Sequence, residues 1–407
     1  MKKSIKISIR ILSFAILCCL TLSAIFAPQS GQDVVAVGDA IRSAITKVSL
    51  PIENDISEFF DGNVVYQLPA TVASDDEISV IVKMNVDSVM DGYDRTDKNL
   101  SVSEYAATKD AADIAEEVKN ESDALMSVLD KSGVDYVLGE RYDTILSGFE
   151  VTVKAFDFAK LGAAVGDRAT LIVGEQYNKC ETEVVTNFVE VYETGIFDSS
   201  DSVYQGDGVV VAVLDTGLDY THTAFSVDNF TTNDERFTLS NVSDMVGGTA
   251  ASRFTRGLTG EDVYVSKKVP YAYDYADKDP DVLPINSEHG THVAGVIAGK
   301  DSEITGVAPN AQLAIFKVFS DIAEGAKTSW LLAALEDCVV LGVDVINMSL
   351  GSSCGFSREI DGEATTEIYD RIGEAGISLI CAASNSYTAT FSSKKNGTNS
   401  LTTNRSE

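Results

Sequence analysis

Positive charge is in short supply in this sequence relative to negative charge. Its 407 residues carry 31 Lys and Arg against 62 Asp and Glu, a net charge of −31. That balance repels nucleic acid and anionic lipid surfaces, which argues against nucleic-acid binding and against any membrane contact beyond the N-terminal segment described below. Cysteine is also sparse: six in all, with Cys18 and Cys19 inside an N-terminal apolar run. The other four, Cys180, Cys338, Cys354 and Cys381, lack the spacing of a zinc site. Cys338 and Cys381 fall in apolar patterns that suit small buried thiols better than a disulfide framework. No internal repeat or low-complexity tract stands out, which excludes solenoid and array architectures.

What is present is enough apolar material, 44 % of the chain, for two domains that each bury a core. Lys2, Lys3, Lys6 and Arg10 precede an apolar run over residues 11–26, which then gives way to Pro28-Gln-Ser-Gly. A basic cluster, an apolar stretch and a polar exit make residues 1–27 read as a secretory signal, with an uncleaved membrane anchor as the alternative, and place the protein outside the cell or in the cell envelope. Residues 28–75 are weakly patterned and read as a linker. From Glu77 the pattern sharpens: strands at Ile78-Ser-Val-Ile-Val-Lys-Met84, residues 136–138, 149–153 and 169–173, and helices over residues 106–129 and 156–165, with Gly133 as a stop. The order β-α-β-β-α-β over residues 76–180 is the split, ferredoxin-like α+β pattern.

Residues 188–407 alternate differently. Near-continuous apolar strands are expected at residues 209–214, 269–275, 312–319, 344–348 and 377–382. Helices over residues 289–298, 328–341 and 364–375 separate them, with Gly342 and Gly376 as stops. Such an alternation predicts an α/β fold, a parallel sheet with helices on both faces, and ligands in such sheets gather outside the carboxyl ends of the strands.

Two blocks carry chemistry. Val209-Val-Val-Ala-Val-Leu-Asp215-Thr-Gly ends an apolar strand in a carboxylate, and Glu288-His289-Gly-Thr-His-Val-Ala-Gly opens an apolar helix with a glycine-flanked imidazole. A carboxylate at the end of a buried strand survives ionised only with donors or a cation beside it, and an imidazole N–H is such a donor. The helix dipole at His289 disfavours its protonation, so a paired carboxylate must offset this if the imidazole is to act as a base. Gly290 removes a side chain where reacting groups must approach. Together Asp215 and His289 supply two of the three parts that activate a serine hydroxyl. His292, one turn along, reads as structural. A metal reading would join His289 and His292 to a carboxylate, but their spacing is three rather than four and no glutamate separates them.

With Val345-Ile-Asn-Met-Ser349-Leu350-Gly351 added, the three blocks resemble successive motifs of the subtilisin-like serine proteases, over residues 209–385 and in the right order. Within that family, the spacing and the Val269-Pro-Tyr-Ala-Tyr-Asp-Tyr-Ala276 strand are most similar to the cell-envelope proteinases of Gram-positive bacteria. The resemblance implies catalytic roles for Asp215, His289 and Asn385, the last as the side-chain amide that donates to the oxyanion. It implies that Ser349, Leu350 and Gly351 form one edge that pairs with substrate backbone and that Glu324-Gly325-Ala326 forms the other. It also implies that residues 76–180 are a propeptide that assists folding and lays its C-terminal tail in the cleft until cut, with the junction between residues 176 and 187; an ordinary accessory domain is the rival reading.

Two departures from the family follow. Ala224 stands where many relatives place a calcium-ligating Asp, and Lys300-Asp-Ser-Glu-Ile-Thr305 is shorter than their calcium loop, so no metal is assigned there and no cofactor is required; weak calcium binding elsewhere has no nameable ligands. The family's Gly-Thr-Ser-x-Ala is missing. Gly397-Thr-Asn-Ser400-Leu resembles it, but the tail that follows cannot form the required helix. The expectation is a secreted serine endopeptidase precursor, C-terminally truncated and inactive as this fragment, acting on protein or peptide substrates. A pseudoprotease or binding protein on the same scaffold, and a metal-dependent hydrolase, are the alternatives.

Overall fold

The structure is a computed structural model that describes residues 72–94, 99–179, 204–247, 257–351, 359–382, 390–393 and 398–401. The chain divides into two units, Met1–Val65 and Tyr66–Glu407, and every described residue belongs to the second. The signal, most of the linker, and Asn385, Cys180 and Cys354 therefore lie outside the described residues.

The N-terminal module of the second unit is built on β1 (Glu77–Met84), a strand whose alternate residues face two different cores. Val80 and Val82 pack with Leu125 and Leu129 of the long helix, whereas Ile81 turns the other way. After α1 (Val89–Asp94), α2 (Val102–Ala106) and α3 (Lys109–Ser132) come β2 (Tyr136–Tyr142), β3 (Gly148–Lys154), α4 (Phe158–Val165) and β4 (Ala169–Val173). The sheet order is β2-β3-β1-β4, all antiparallel, so the β-α-β-β-α-β order of the sequence closes as one four-stranded sheet. One helix boundary differs from expectation. Ala106 ends α2, and α3 starts afresh because the Thr108 hydroxyl accepts the Ala111 N–H and caps it. Gly133, at φ 73, ends α3 as expected.

The C-terminal module is a five-stranded parallel sheet in the order β12-β10-β6-β8-β7. Its strands are β6 (Val210–Asp215), β7 (Tyr271–Asp274), β8 (Gln312–Lys317), β10 (Val345–Met348) and β12 (Ser378–Cys381). The helices include α5 (Leu239–Gly247), α6 (Gly260–Val263), α7 (His289–Ala298), α8 (Thr328–Leu341) and α9 (Glu359–Glu374). Strand β6 is buried from end to end because both its faces are covered. Val211 and Val213 join Val293, Ala294 and Ala298 of α7 on one side, and Val210, Ala212 and Leu214 share the other side's core with α8. This is the double cover expected of a parallel sheet. Helix α9 begins five residues before the expected start at residue 364, because its first five residues, Glu359-Ile-Asp-Gly-Glu, hold a single apolar side chain and so no period for a pattern to detect.

Helix α8 is apolar nearly all round, with residues on every side buried. One side faces the parallel sheet, and the other meets the outer face of the N-terminal sheet, where Ile81 and Ile172 join the same core. The two modules thus share one continuous apolar layer. Ser400 lies on a strand, Thr398–Leu401, paired antiparallel with Thr390–Ser393. The tail after Leu401, on which the sequence reading of Ser400 rested, lies outside the described residues.

Candidate active site

Strand β6 ends at Asp215 because the next turn cannot continue it. Gly217 sits at φ 103, and a Cβ there would collide with the Val282 carbonyl, so the position requires glycine. Asp215 is left buried at the carboxyl edge of the sheet, 1 % exposed. Its Oδ1 accepts the Thr216 N–H at 2.7 Å and lies 2.8 Å from Nδ1 of His289, 74 residues away in sequence. The hydroxyl of Thr216 ties the helix to the same turn: it donates to the Ser287 carbonyl and accepts the Gly290 N–H, both at 2.9 Å. Gly290 is needed there, since a Cβ would strike the Gly217 carbonyl oxygen. With Nδ1–H donated to Asp215, the lone pair of the imidazole is on Nε2, the arrangement a general base needs. Asp215 Oδ2 is buried without a donor among the described residues.

His292 does not join this pair. It is exposed on α7 and lines a separate groove of about 900 Å³ with His222, Phe225, Glu288 and Asp301. Among the described residues, the only group of three or more His, Cys, Asp or Glu with ligand atoms within 4.8 Å of one another is Asp274, Asp277 and Asp321. The combination of His289, His292 and a carboxylate is thus not assembled. The 300–305 loop is closed by its own hydrogen bonds. Ala224 brings no carboxylate, and its carbonyl accepts the Lys300 N–H. Both oxygens of Asp301 are taken up in closing the loop, one by the N–H groups of Glu303 and Ile304 and the other by the Thr223 hydroxyl.

A third sheet runs past the Asp215–His289 pair. Its strands are β11 (Leu350–Gly351), β5 (Gln176–Lys179) and β9 (Ala326–Lys327), in that order and antiparallel throughout. The chain's own segment directly after the N-terminal module therefore lies as the middle strand between the two edges picked out in the sequence. Leu350 pairs with Lys179 and Gly351 with Asn178, while Tyr177 pairs with Ala326. Ser349 sits one residue before β11, its hydroxyl 3.0 Å from the Asn347 amide nitrogen that donates to it. Gly325, at φ 71, is bare where the strand passes: a Cβ would come within 2.7 Å of the Tyr177 carbonyl oxygen. Along β5 the side chains alternate, Gln176 and Asn178 exposed and Tyr177 buried at 6 %. The Lys179 ammonium donates to the Ser287 hydroxyl at 2.9 Å, two residues before His289. Asn385 lies outside the described residues, so its place relative to the pair is not described.

Sequence reasoning missed the residue that locks the modules together. Glu336, in the middle of α8, is 1 % exposed, and the successive N–H groups of residues 143–146 converge on its carboxylate at 2.8–3.5 Å. Beside it Asp337 accepts from the hydroxyls of Tyr275 and Tyr271, at 2.5 and 3.4 Å. Burial first, and then the Asp337 charge, push both phenols well above their ordinary range. The available signal was two adjacent acids inside an otherwise apolar helical pattern, where a charge persists only if fully partnered.

A family profile described as "Subtilase family" matches residues 206–407. The chain is 30 % identical over 328 residues to a PI-type proteinase of Lactococcus lactis subsp. cremoris, covering 77 % of this chain and 16 % of that protein. It is 31 % identical over 191 residues to a C5a peptidase of Streptococcus pyogenes, covering 44 % of this chain and 15 % of that one. It therefore spans about one sixth of the length of the curated relatives it matches. Fervidolysin of Fervidobacterium pennivorans aligns in structure at 16 % identity and a TM-score of 0.49, over 82 % of this chain and 46 % of that one. On the matched profile, with a doubly covered parallel sheet carrying Asp215 and His289 at its carboxyl edge, this chain belongs to the subtilase family.

Proposed function

We propose that this protein is a secreted serine endopeptidase made as a precursor, in which residues 76–180 act as an intramolecular inhibitor. In this reading Asp215 holds the imidazole and stabilises its protonated form. His289 takes the proton of the nucleophilic serine through Nε2 and returns it to the leaving amine, and the Asn385 amide stabilises the tetrahedral oxyanion. Ser349, Leu350 and Gly351 on one edge, and Gly325 on the other, receive an extended peptide through main-chain hydrogen bonds, so substrates are unfolded segments or loops of proteins. No cofactor enters the chemistry, and no nucleic acid is a partner. Contact with the membrane is confined to the N-terminal signal.

The single observation that carries the reading is strand β5, seated between both edges and running toward His289. It supports the view that the module delivers its own tail as a bound peptide. The register also bounds the cut that would release it. Lys179 already faces the last edge residue before Ser349, so the bond broken in maturation falls within the few residues that follow Lys179.

A serine-directed fluorophosphonate applied to the secreted, processed protein tests this. Labelling is expected, is abolished by His289→Ala, and accompanies a new N-terminus shortly after residue 179. An N-terminus upstream of Gln176, or labelling that survives His289→Ala, would overturn the reading.

A further inference from the structure

The Asp215–His289 pair leaves a neighbouring cluster of charges unused. Lys317 ends β8 and stands in register beside Asp215, which ends β6. Its side chain is 1 % exposed, and its ammonium meets Asp274, Asp277 at 3.5 Å and Asp321 at 3.2 Å. The three carboxylates are close enough to share a metal, but the Lys317 ammonium already supplies the positive charge among them, so no cation site is inferred. Burial acts to lower the pKa of Lys317; the hydrogen bond and charge of Asp274, with Asp321, outweigh it, and the net direction is up.

Two lines of contact leave this cluster. One leads to the catalytic turn. The Val318 N–H donates to the Asp215 carbonyl at 3.0 Å, and the Lys317 stem lies so close beneath Gly217 that a Cβ there would be 3.1 Å from its Cδ. The other leads to the peptide edge. One Asp277 oxygen accepts the Ser320 hydroxyl at 2.6 Å, and the other accepts the Asp321 N–H at 2.7 Å. The Ser320 hydroxyl oxygen accepts the N–H groups of Ile322 and Ala323 at 3.0 Å. The Asn286 amide then donates to the Asp321 carbonyl at 2.6 Å, tying the same turn to the segment before His289. Residues 320–323 are thereby held from three sides, and the next residues, Glu324-Gly325-Ala326, are those against which Gln176 and Tyr177 lie.

We propose that Asp277, fixed by Lys317, is a positioning residue for the peptide-binding edge: by gathering Ser320 and Asp321 it sets where Gly325 and Ala326 stand relative to the Asp215–His289 turn. The inference rests on the reading that this edge receives extended peptide. A half-buried carboxylate suits the task because charge-assisted hydrogen bonds are the stronger ones, and three donors on one carboxylate leave the turn little freedom. A peptide that enters by strand addition gains its main-chain bonds only if the edge is ordered beforehand.

Amide hydrogen exchange on the 407-residue chain tests this without any turnover. Asp277→Ala is expected to speed exchange at residues 322–327 and 176–179 by about tenfold or more, with less than about twofold change in the interior of β6 and β8. Asp277→Asn, which keeps an acceptor oxygen, restores most of the protection. Ser320→Ala, a milder change that spares the ion pairs, moves the same amides in the same direction. Unchanged exchange at 324–327 would overturn the proposal, and so would equal acceleration throughout β6 and β8, which would mean general destabilisation. Failure of fluorophosphonate labelling would bear on the protease reading alone.

Discussion

Asp215 and His289 are legible from sequence because each stands at a boundary the sequence marks: the end of an apolar run and the start of a glycine-punctuated helix. Lys268 is the opposite case, a buried charge that no motif announces. It is 2 % exposed, donates to the carbonyls of Pro309 and Ala311 at 2.8 and 2.7 Å, and lies 4.9 Å from the ring centre of Phe230. Burial pushes its pKa down to about 7, and the Lys300 charge adds to this. Above pH 7 the folded protein has released that proton, whereas the unfolded chain keeps it up to the ordinary value of 10.5. The unfolded state then binds more protons, so this group makes stability rise with pH across that window, by at most ~1.4 kcal/mol per pH unit. Below pH 7 both states are protonated and the benefit is gone. Urea midpoints measured at intervals from about pH 7 to about pH 9.5 should climb, and Lys268→Met should flatten the climb.

The long elements exist where their patterns put them, α7 and α8 with the bounds that periodicity and glycine mark, α3 and α9 with shifted starts. The short ones do not. Strands β5, β9 and β11 have two to four residues each and exist only because each finds a partner; an isolated run of that length carries no period to detect. Helix α8 also hides its main interaction. A surface helix would show one polar face, but Glu336 points into four backbone donors of another element. Glu336→Ala would strand those N–H groups in a dry interface, and a loss of about 2–4 kcal/mol in urea-unfolding free energy is expected. Glu336→Gln, which retains an acceptor, should lose clearly less. Equal losses for the two variants would show that the carboxylate contributes packing and not hydrogen bonding.

The two modules are joined by an apolar layer around α8 with a fringe of ion pairs: Lys83 with Glu367, Arg371 with Asp91 at 2.6 Å, and Lys278 with Glu140 at 2.5 Å. Each pair keeps one partner in contact with solvent, Lys278 at 57 %, Glu367 at 36 % and Asp91 at 31 % side-chain exposure. Pairs of this kind contribute about 0–1 kcal/mol and are screened by salt, whereas the apolar layer is not. Adding about 0.5 M sodium chloride should therefore leave the association of the modules intact, as followed by limited proteolysis after residue 179, and lower the unfolding free energy by no more than ~1–2 kcal/mol. Release by salt alone would mean that the ion pairs, and not the shared core, hold the modules. The parallel sheet gains from this partner for a topological reason. Asp215 and His289 are 74 residues apart, with β7 and its connections between them, and such a non-local closure is slow and is assisted by a preformed neighbouring surface.

Local chemistry along the chain was enough to assign the α/β alternation, the split β-α-β-β-α-β module, the carboxylate and imidazole, and the two edges, since apolar period, glycine and charge are written residue by residue. Folding alone decided that residues 176–179 lie between those edges, that Glu336 gathers the 143–146 amides, and that Lys317 stands among three aspartates beside Asp215. Those arrangements are long-range pairings of short or buried polar groups. Their energies come from desolvation and partner geometry, which no window of sequence contains.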